Sequence, residues 1–165
     1  MIGNLKSKFI SFYYKNKAKK ILKSYKEPLK IGGRVSFNAD TYLGKNCNFN
    51  GFRVDGTGKI IIGNNFHSGT DIIAITSNHN YEGECLPYDD IDIKKTIIIE
   101  DNVWIGSKVT ILGGVTIGEG SIIQAGSVVS KSIPKYAIAG GNPAKPFKYR
   151  DIEHYEKLKK EGKFC

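Results

Sequence analysis

With 165 residues, 40% of them hydrophobic and 25% charged, the chain can bury one domain's core without disulfide support. Its net charge of +9 is local: residues 1–30 carry nine Lys against one acid, Glu27, while the other 16 basic and 15 acidic residues nearly cancel. A basic face spread over the domain is therefore excluded, and no nucleic-acid partner is expected.

Along the chain, residues 2–26 set Leu5, Phe9, Phe12, Tyr13, Ile21, Leu22 and Tyr25 among lysines, which predicts a broken amphipathic helix within a 1–30 segment. A weak six-residue phase follows at Ile31-Gly, Phe37-Asn, Leu43-Gly and Ile62-Gly. Residues 80–96 break that phase with five acids, and a loop so long inside a compact repeat is usually functional. From Ile99 the sixes become regular: Ile99, Ile105, Ile111, Ile117 and Ile123 each open a unit whose fifth position is Val or Ser, and Val129 opens a final partial one. Neither a 3.6 nor a 2.0 period accounts for this pattern. Three short strands joined by Gly- or Asn-bearing turns would close one triangular coil, with the first-position aliphatics stacked along its axis. After Pro143 and Pro146, residues 151–161 predict a short charged helix.

Cys47, Cys85 and Cys165 follow neither C-x-x-C nor metal-ligand spacing, so a reduced, cytoplasmic protein without bound metal is expected. No apolar run reaches the roughly 18 residues of a spanning helix.

The hexads, with Asn102-Val-Trp-Ile-Gly106, Gln124-Ala-Gly-Ser-Val-Val129 and Gly141-Asn-Pro-Ala-Lys145, resemble the hexapeptide-repeat acyltransferases over residues 31–150. That resemblance implies an all-β fold, a left-handed parallel β-helix of hexapeptide repeats over 31–147, preceded by the helical 1–30 segment and followed by a 148–165 tail helix. It implies a homotrimer, with acetyl-CoA as acyl donor in the cleft between neighbouring subunits.

His79 opens the 80–96 loop, at the distance from the Ile62-Gly63 hexad start where the family carries its catalytic base. A neutral imidazole suits removal of a hydroxyl proton during attack on a thioester. Which of Glu82, Glu84, Asp89, Asp90 and Asp92 orients it stays open. Tyr81 joins His79 at the acceptor. Trp104, further along by one coil plus part of the loop, is expected on the same edge one level away, as a wall of the acceptor and pantetheine site. Asn48 matches an acceptor-binding Asn; a one-residue gap before Ile62 leaves Asn50, or a plain corner role, open. His67 and His154 read as surface residues. The resemblance further assigns Gly106 and Ser107 to the thioester end, with the Ser107 amide at the oxyanion, and Ala125 to the pantetheine wall. Ser130 and Lys131 go to the nucleotide phosphates, with Lys145, Lys148 and Arg150 as nearby cations.

The expected function is therefore acetyl-CoA-dependent O-acetylation of a sugar hydroxyl, in the making of a capsule, O-antigen or exopolysaccharide. The basic N-terminal segment lacks the cap pattern of the small-sugar enzymes and could touch the inner membrane surface, as suits a lipid-carried glycan. Alternatives are streptogramin-type antibiotic acetylation, N-acetylation of a nucleotide amino-sugar, and an inactive scaffold or glycan-binding module.

Overall fold

A computed structural model describes residues 2–164, with side chains from residue 7; Cys165 and the side chains of Leu5 and Lys6 lie outside the described residues. Short strands stack in parallel on three faces. The seven-stranded face holds Leu29–Ile31, Cys47–Phe49, His67–Ser68, Trp104–Ile105, Ile122–Ile123 and Ala137–Gly141, with Ala144–Tyr149 returning antiparallel beside the last. The five-stranded face holds Val35–Ser36, Phe52–Asp55, Ile72–Ile75, Thr110–Leu112 and Val128–Val129. The four-stranded face holds Thr41–Leu43, Ile60–Ile62, Ile97–Ile99 and Thr116–Ile117. The result is the parallel β-helix that the hexads imply.

Three corners join the faces. The first, between the seven- and five-stranded faces, stacks residues 33–34, 50–51, 70–71, 106–108 and 124–126. The second, between the five- and four-stranded faces, stacks 56–59, 76–77, 95–96, 113–114 and 130–132. The third stacks 44–46, 63–65, 100–102 and 118–120. In the upper coils Trp104 pairs with Ile122, Thr110 with Val128 and Ile99 with Ile117, so that one turn of the coil consumes three hexads. Lower coils drift: Val35 pairs with Phe52, Asn48 with His67 and Phe52 with Ile72, which blurs the phase there.

First-position Ile99, Ile105, Ile111, Ile117, Ile123 and Val129 and fifth-position Val103, Val109 and Val115 are buried, so each coil covers its neighbour's apolar interior. At the lower end Phe37, Phe49, Phe52 and Phe66 fill the axis. Along the third corner Asn65 and Asn102 adopt φ +54° and +60°, a left-handed geometry that Asn tolerates. Their side chains bond to each other at 2.8 Å.

Helix α1 (Ile2–Ile21) lies against the lowest strands, burying Ala18 and sending the Ser11 hydroxyl to the Ile31 carbonyl. Lys19 and Lys15 meet Glu27 at 2.7 and 3.8 Å. The first strand begins at Leu29, inside the segment read as helical. The tail departs similarly: Ala144–Tyr149 is a strand, and α2 occupies only Ile152–Lys160. Asp151 caps α2 by accepting the His154 N–H at 3.0 Å.

Glu119 holds α2 to the coil. Its carboxylate meets Lys159, accepts from the Tyr155 hydroxyl at 3.2 Å and lies 3.7 Å from Lys135. Burial pushes the Glu119 carboxyl up, but Lys159, Tyr155 and Lys135 outweigh it and hold it below its ordinary value. A lowered folded-state pKa gives stability that is present above the unfolded value and lost as pH falls through the folded one. Docking of α2 is therefore expected to hold down to about pH 4.3, the ordinary Glu value, and to weaken below it. Amide exchange in α2 across that range checks this, and Glu119→Gln removes the dependence.

Candidate active site

The chain leaves the solenoid at the second corner. Ser77–His79 and Asp92–Lys94 form an antiparallel ribbon, with His79 opposite Asp92 and Ser77 opposite Lys94. The interruption read as a loop over 80–96 is thus a stiffened arm that starts at Ser77. Its tip is tied by Asn80 and Asp89: the Asn80 amide donates to the Asp89 carboxylate at 2.9 Å, and that carboxylate also accepts the Ile91 N–H at 2.9 Å.

His79 is exposed on this arm, its ring stacked on Tyr88 at 3.9 Å and 5°. That stack, which the sequence reading missed, sets the plane of the imidazole. Asp92 faces His79 across the ribbon, but its carboxylate accepts from the Thr57 hydroxyl at 2.7 Å. The hydroxyls of Thr57 and Ser77, with smaller help from His79 and Lys94, hold the Asp92 carboxyl below its usual value. An ionised carboxylate therefore stands opposite His79 across the ribbon at neutral pH. Tyr81 is exposed just beyond the ribbon.

A second group of assigned residues gathers at the first corner. Thr70, Ser107 and Gly126 stack there: the Thr70 N–H donates to the Ser107 hydroxyl at 3.0 Å, and the Gly126 N–H to the Ser107 carbonyl at 2.9 Å. Gly106 is required by packing, since a Cβ there would lie 2.6 Å from the Ala125 nitrogen. Ala125 and Gly126 are exposed, and a Cβ on Gly126 would meet nothing within 4 Å. The wall beside Ser107 is therefore low and open, able to take a flat, extended chain. Above it the final hairpin sets Lys145 opposite Gly140, and the Gly141 N–H donates to the Ser127 hydroxyl at 3.2 Å. Ser130 and Lys131 lie one face away, exposed at the second corner from which the His79 arm departs.

Several placements correct the sequence reading. Trp104 does not share an edge with His79: it lies on the seven-stranded face, paired with His67 on one side and Ile122 on the other. Counting back along a regular coil ignored that the arm leaves the solenoid at a corner. His67 is exposed as expected but is Trp104's direct neighbour, and both line a cavity of ≈ 300 Å³ against α2. Arg150 is not beside Ser130 and Lys131. It donates to the Gly120 carbonyl at 2.6 Å, lies over the Tyr155 ring and so clamps α2 at the third corner. Asn48 sits half-buried on the seven-stranded face between Lys30 and His67, while Asn50 is spent at the first corner, donating to the Ser68 carbonyl at 2.9 Å. Lys148 is exposed on the returning strand, opposite Ile138.

Cys47 is buried, which pushes its thiol up to about 12, so it supplies no thiolate at neutral pH. Cys85 is exposed on the arm. Among the described residues no helix is long and apolar enough to cross a membrane.

Residues 96–131 match the family model described as bacterial transferase hexapeptide (six repeats). The chain is 38% identical to the galactoside O-acetyltransferase of Lactococcus lactis over 68% of its own length and 51% of that protein's. It spans about half the length of the curated relatives it matches. A hexapeptide-repeat acetyltransferase of Vibrio cholerae, solved with acetyl coenzyme A, superposes with TM-score 0.65 at 27% identity, over 79% of this chain and 73% of that one. A maltose O-acetyltransferase of Clostridium difficile gives TM-score 0.63 at 30% identity, over 78% and 66%. With its in-phase hexads, its three-faced coil and these relatives, the chain belongs to the hexapeptide-repeat acyltransferase family.

Proposed function

We propose that this chain transfers an acetyl group from acetyl-CoA to a sugar hydroxyl, in a site completed between copies of a homotrimer. The observation that carries this is the separation of its parts. His79 stands on an arm at the second corner, while Ser107 and Ala125 lie at the first, at the other end of the five-stranded face. One copy's arm reaching the neighbour's first corner would bring base and donor together, and a three-fold arrangement repeats that contact in every cleft.

In such a cleft His79 accepts the hydroxyl proton as the oxygen attacks the acetyl carbonyl carbon. The oxyanion takes a hydrogen bond from the Ser107 N–H. When the C–O bond has formed, the C–S bond breaks and the imidazolium returns its proton to the departing thiolate. Asp92 stabilises the transient imidazolium and Tyr88 keeps the ring in plane. Ala125 leaves room for the pantetheine, and Ser130, Lys131 and Lys145 are the groups offered to its phosphates.

The acceptor is a glycan of cell-surface assembly in this proposal. Sugar acceptors in the names of relatives support the hydroxyl, as does a 26% identical neighbour of TM-score 0.59, described as a polySia-specific acetyltransferase. A lipid-carried glycan at the cytoplasmic membrane face is supported by α1, where Phe9 and Phe12 are 70% and 69% exposed on a helix that also exposes Lys8 and Lys20. Co-sedimentation with anionic vesicles, lost in a Phe9→Ser, Phe12→Ser variant, checks that part.

The function itself is tested by following thiol release from acetyl-CoA with sugars, nucleotide sugars, polysaccharide fragments and a streptogramin. Glycan-dependent release supports the proposal. Release with the streptogramin alone turns it to antibiotic acetylation. Silence without acetyl-CoA binding leaves a scaffold.

A further inference from the structure

Behind α1 the first corner opens into a cleft of ≈ 660 Å³, walled by Tyr14 and Lys17 of the helix and by Arg34, Asn50, Thr70 and Asp71 of the lower coils. Its charges do not cancel. Arg53 also lines it but meets Asp55 at 2.8 Å, and Asp71 is the one acid among the lining residues. On the same helix Lys15 and Lys19 share the carboxylate of Glu27. Among the described residues neither Lys17 nor Arg34 enters an ion pair. Two cations outside any ion pair, against one acid, thus face one concave space that also offers an aromatic wall and several hydroxyl-binding groups.

The cleft is continuous with the transfer site along the first corner. Thr70, which lines it, bonds directly to Ser107, and the Lys108 N–H donates to the Thr70 carbonyl at 2.8 Å. A molecule seated against Thr70 lies one coil below Ser107 and two below Ala125. We propose that this cleft seats the acceptor and selects an anionic sugar, whose carboxylate or phosphate meets Arg34 and Lys17. The planar guanidinium of Arg34 suits two-point binding of either oxyanion. The sugar ring lies against Tyr14, and its hydroxyls reach Asp71 and the Thr70 hydroxyl. The word acceptor rests on the transfer reading above; the choice of charge does not.

Calorimetric titration separates the two. The probes are trigalacturonate, its methyl ester with every carboxylate neutralised, and galactose 1-phosphate. The wild-type chain is expected to bind trigalacturonate or the sugar phosphate at least about tenfold more tightly than the ester. Arg34→Gln is expected to bring that binding down to the level of the ester, and Lys17→Gln to weaken it less. Whichever anion binds names the charged group of the acceptor. Equal binding of the ester, indifference to both substitutions, or no binding of any probe would overturn the proposal. Acetyl-CoA binding is measured on the same samples. Its retention in both variants shows that they are folded, whereas its absence from the wild type sinks the transfer reading and leaves the charge selection to be judged on its own.

Discussion

Replacing His79 with alanine is expected to lower kcat for acetyl transfer by about 10²- to 10⁴-fold, while acetyl-CoA binding and the thermal unfolding temperature stay as in the wild type. The side chain is exposed on the arm and touches the fold through the Tyr88 stack, so its removal leaves no cavity in the core. Tyr88→Phe keeps that stack and is expected to keep the activity. Tyr88→Leu frees the ring and is expected to cost about tenfold in kcat with little change in KM, the signature of a lost orientation. Equal activity in the wild type and His79→Ala would remove the imidazole from the chemistry.

The largest effect on stability is expected at the other end of the molecule. Phe49 is fully buried, with ring centroids 5.2 Å from Phe37, 5.5 Å from Phe52 and 5.1 Å from Phe66. Phe49→Ala is expected to cost about 3–5 kcal/mol, read from urea unfolding at fixed protein concentration. Each coil is covered by its neighbours, so the void strips support from the coils above and below it and from the seat of α1. A loss under about 1 kcal/mol would mean that the lower axis collapses freely around the gap.

What the sequence made legible follows the regularity of the coils. From Ile99 to Val129 each coil takes three whole hexads, so the repeats could be read straight into buried positions; only the last turn, where Ile122 pairs with Ile138, is shorter. Below, turns of uneven length let the register slip, and Phe replaces Ile along the axis, which hid the phase around Asn48 and Asn50. The arm was legible as an interruption but not as a ribbon. Its strands, Ser77–His79 and Asp92–Lys94, have no buried face and so no alternation to reveal them. The strand Ala144–Tyr149 was hidden by Pro146, which sits opposite Ala139 beside a register shift, a place where a sheet tolerates proline.

Site residues divide the same way. His79 and the corner residues Gly106, Ser107 and Ala125 belong to continuous motifs, so the family resemblance could name them as candidates. Distances in sequence misled for Trp104 and Arg150, because a neighbour along the chain can stand on another face of a triangular coil. The charged cleft was invisible: Lys17, Arg34 and Asp71 come from a helix and two coils, and no local pattern joins them.

The account turns on base and donor site meeting only between copies. Two variants, His79→Ala and Ala125→Trp, each disable one half of every cleft, the second by filling the exposed pantetheine wall. Purified alone, both are expected to be inactive. Co-expressed in equal amounts, random assembly joins an intact arm to an intact corner in about a quarter of the clefts, so roughly a quarter of wild-type thiol release should return. Recovery at that level is the predicted result. A mixture no more active than its parts, with mixed assembly verified by differently tagged copies, would place the whole site within one chain and contradict the account.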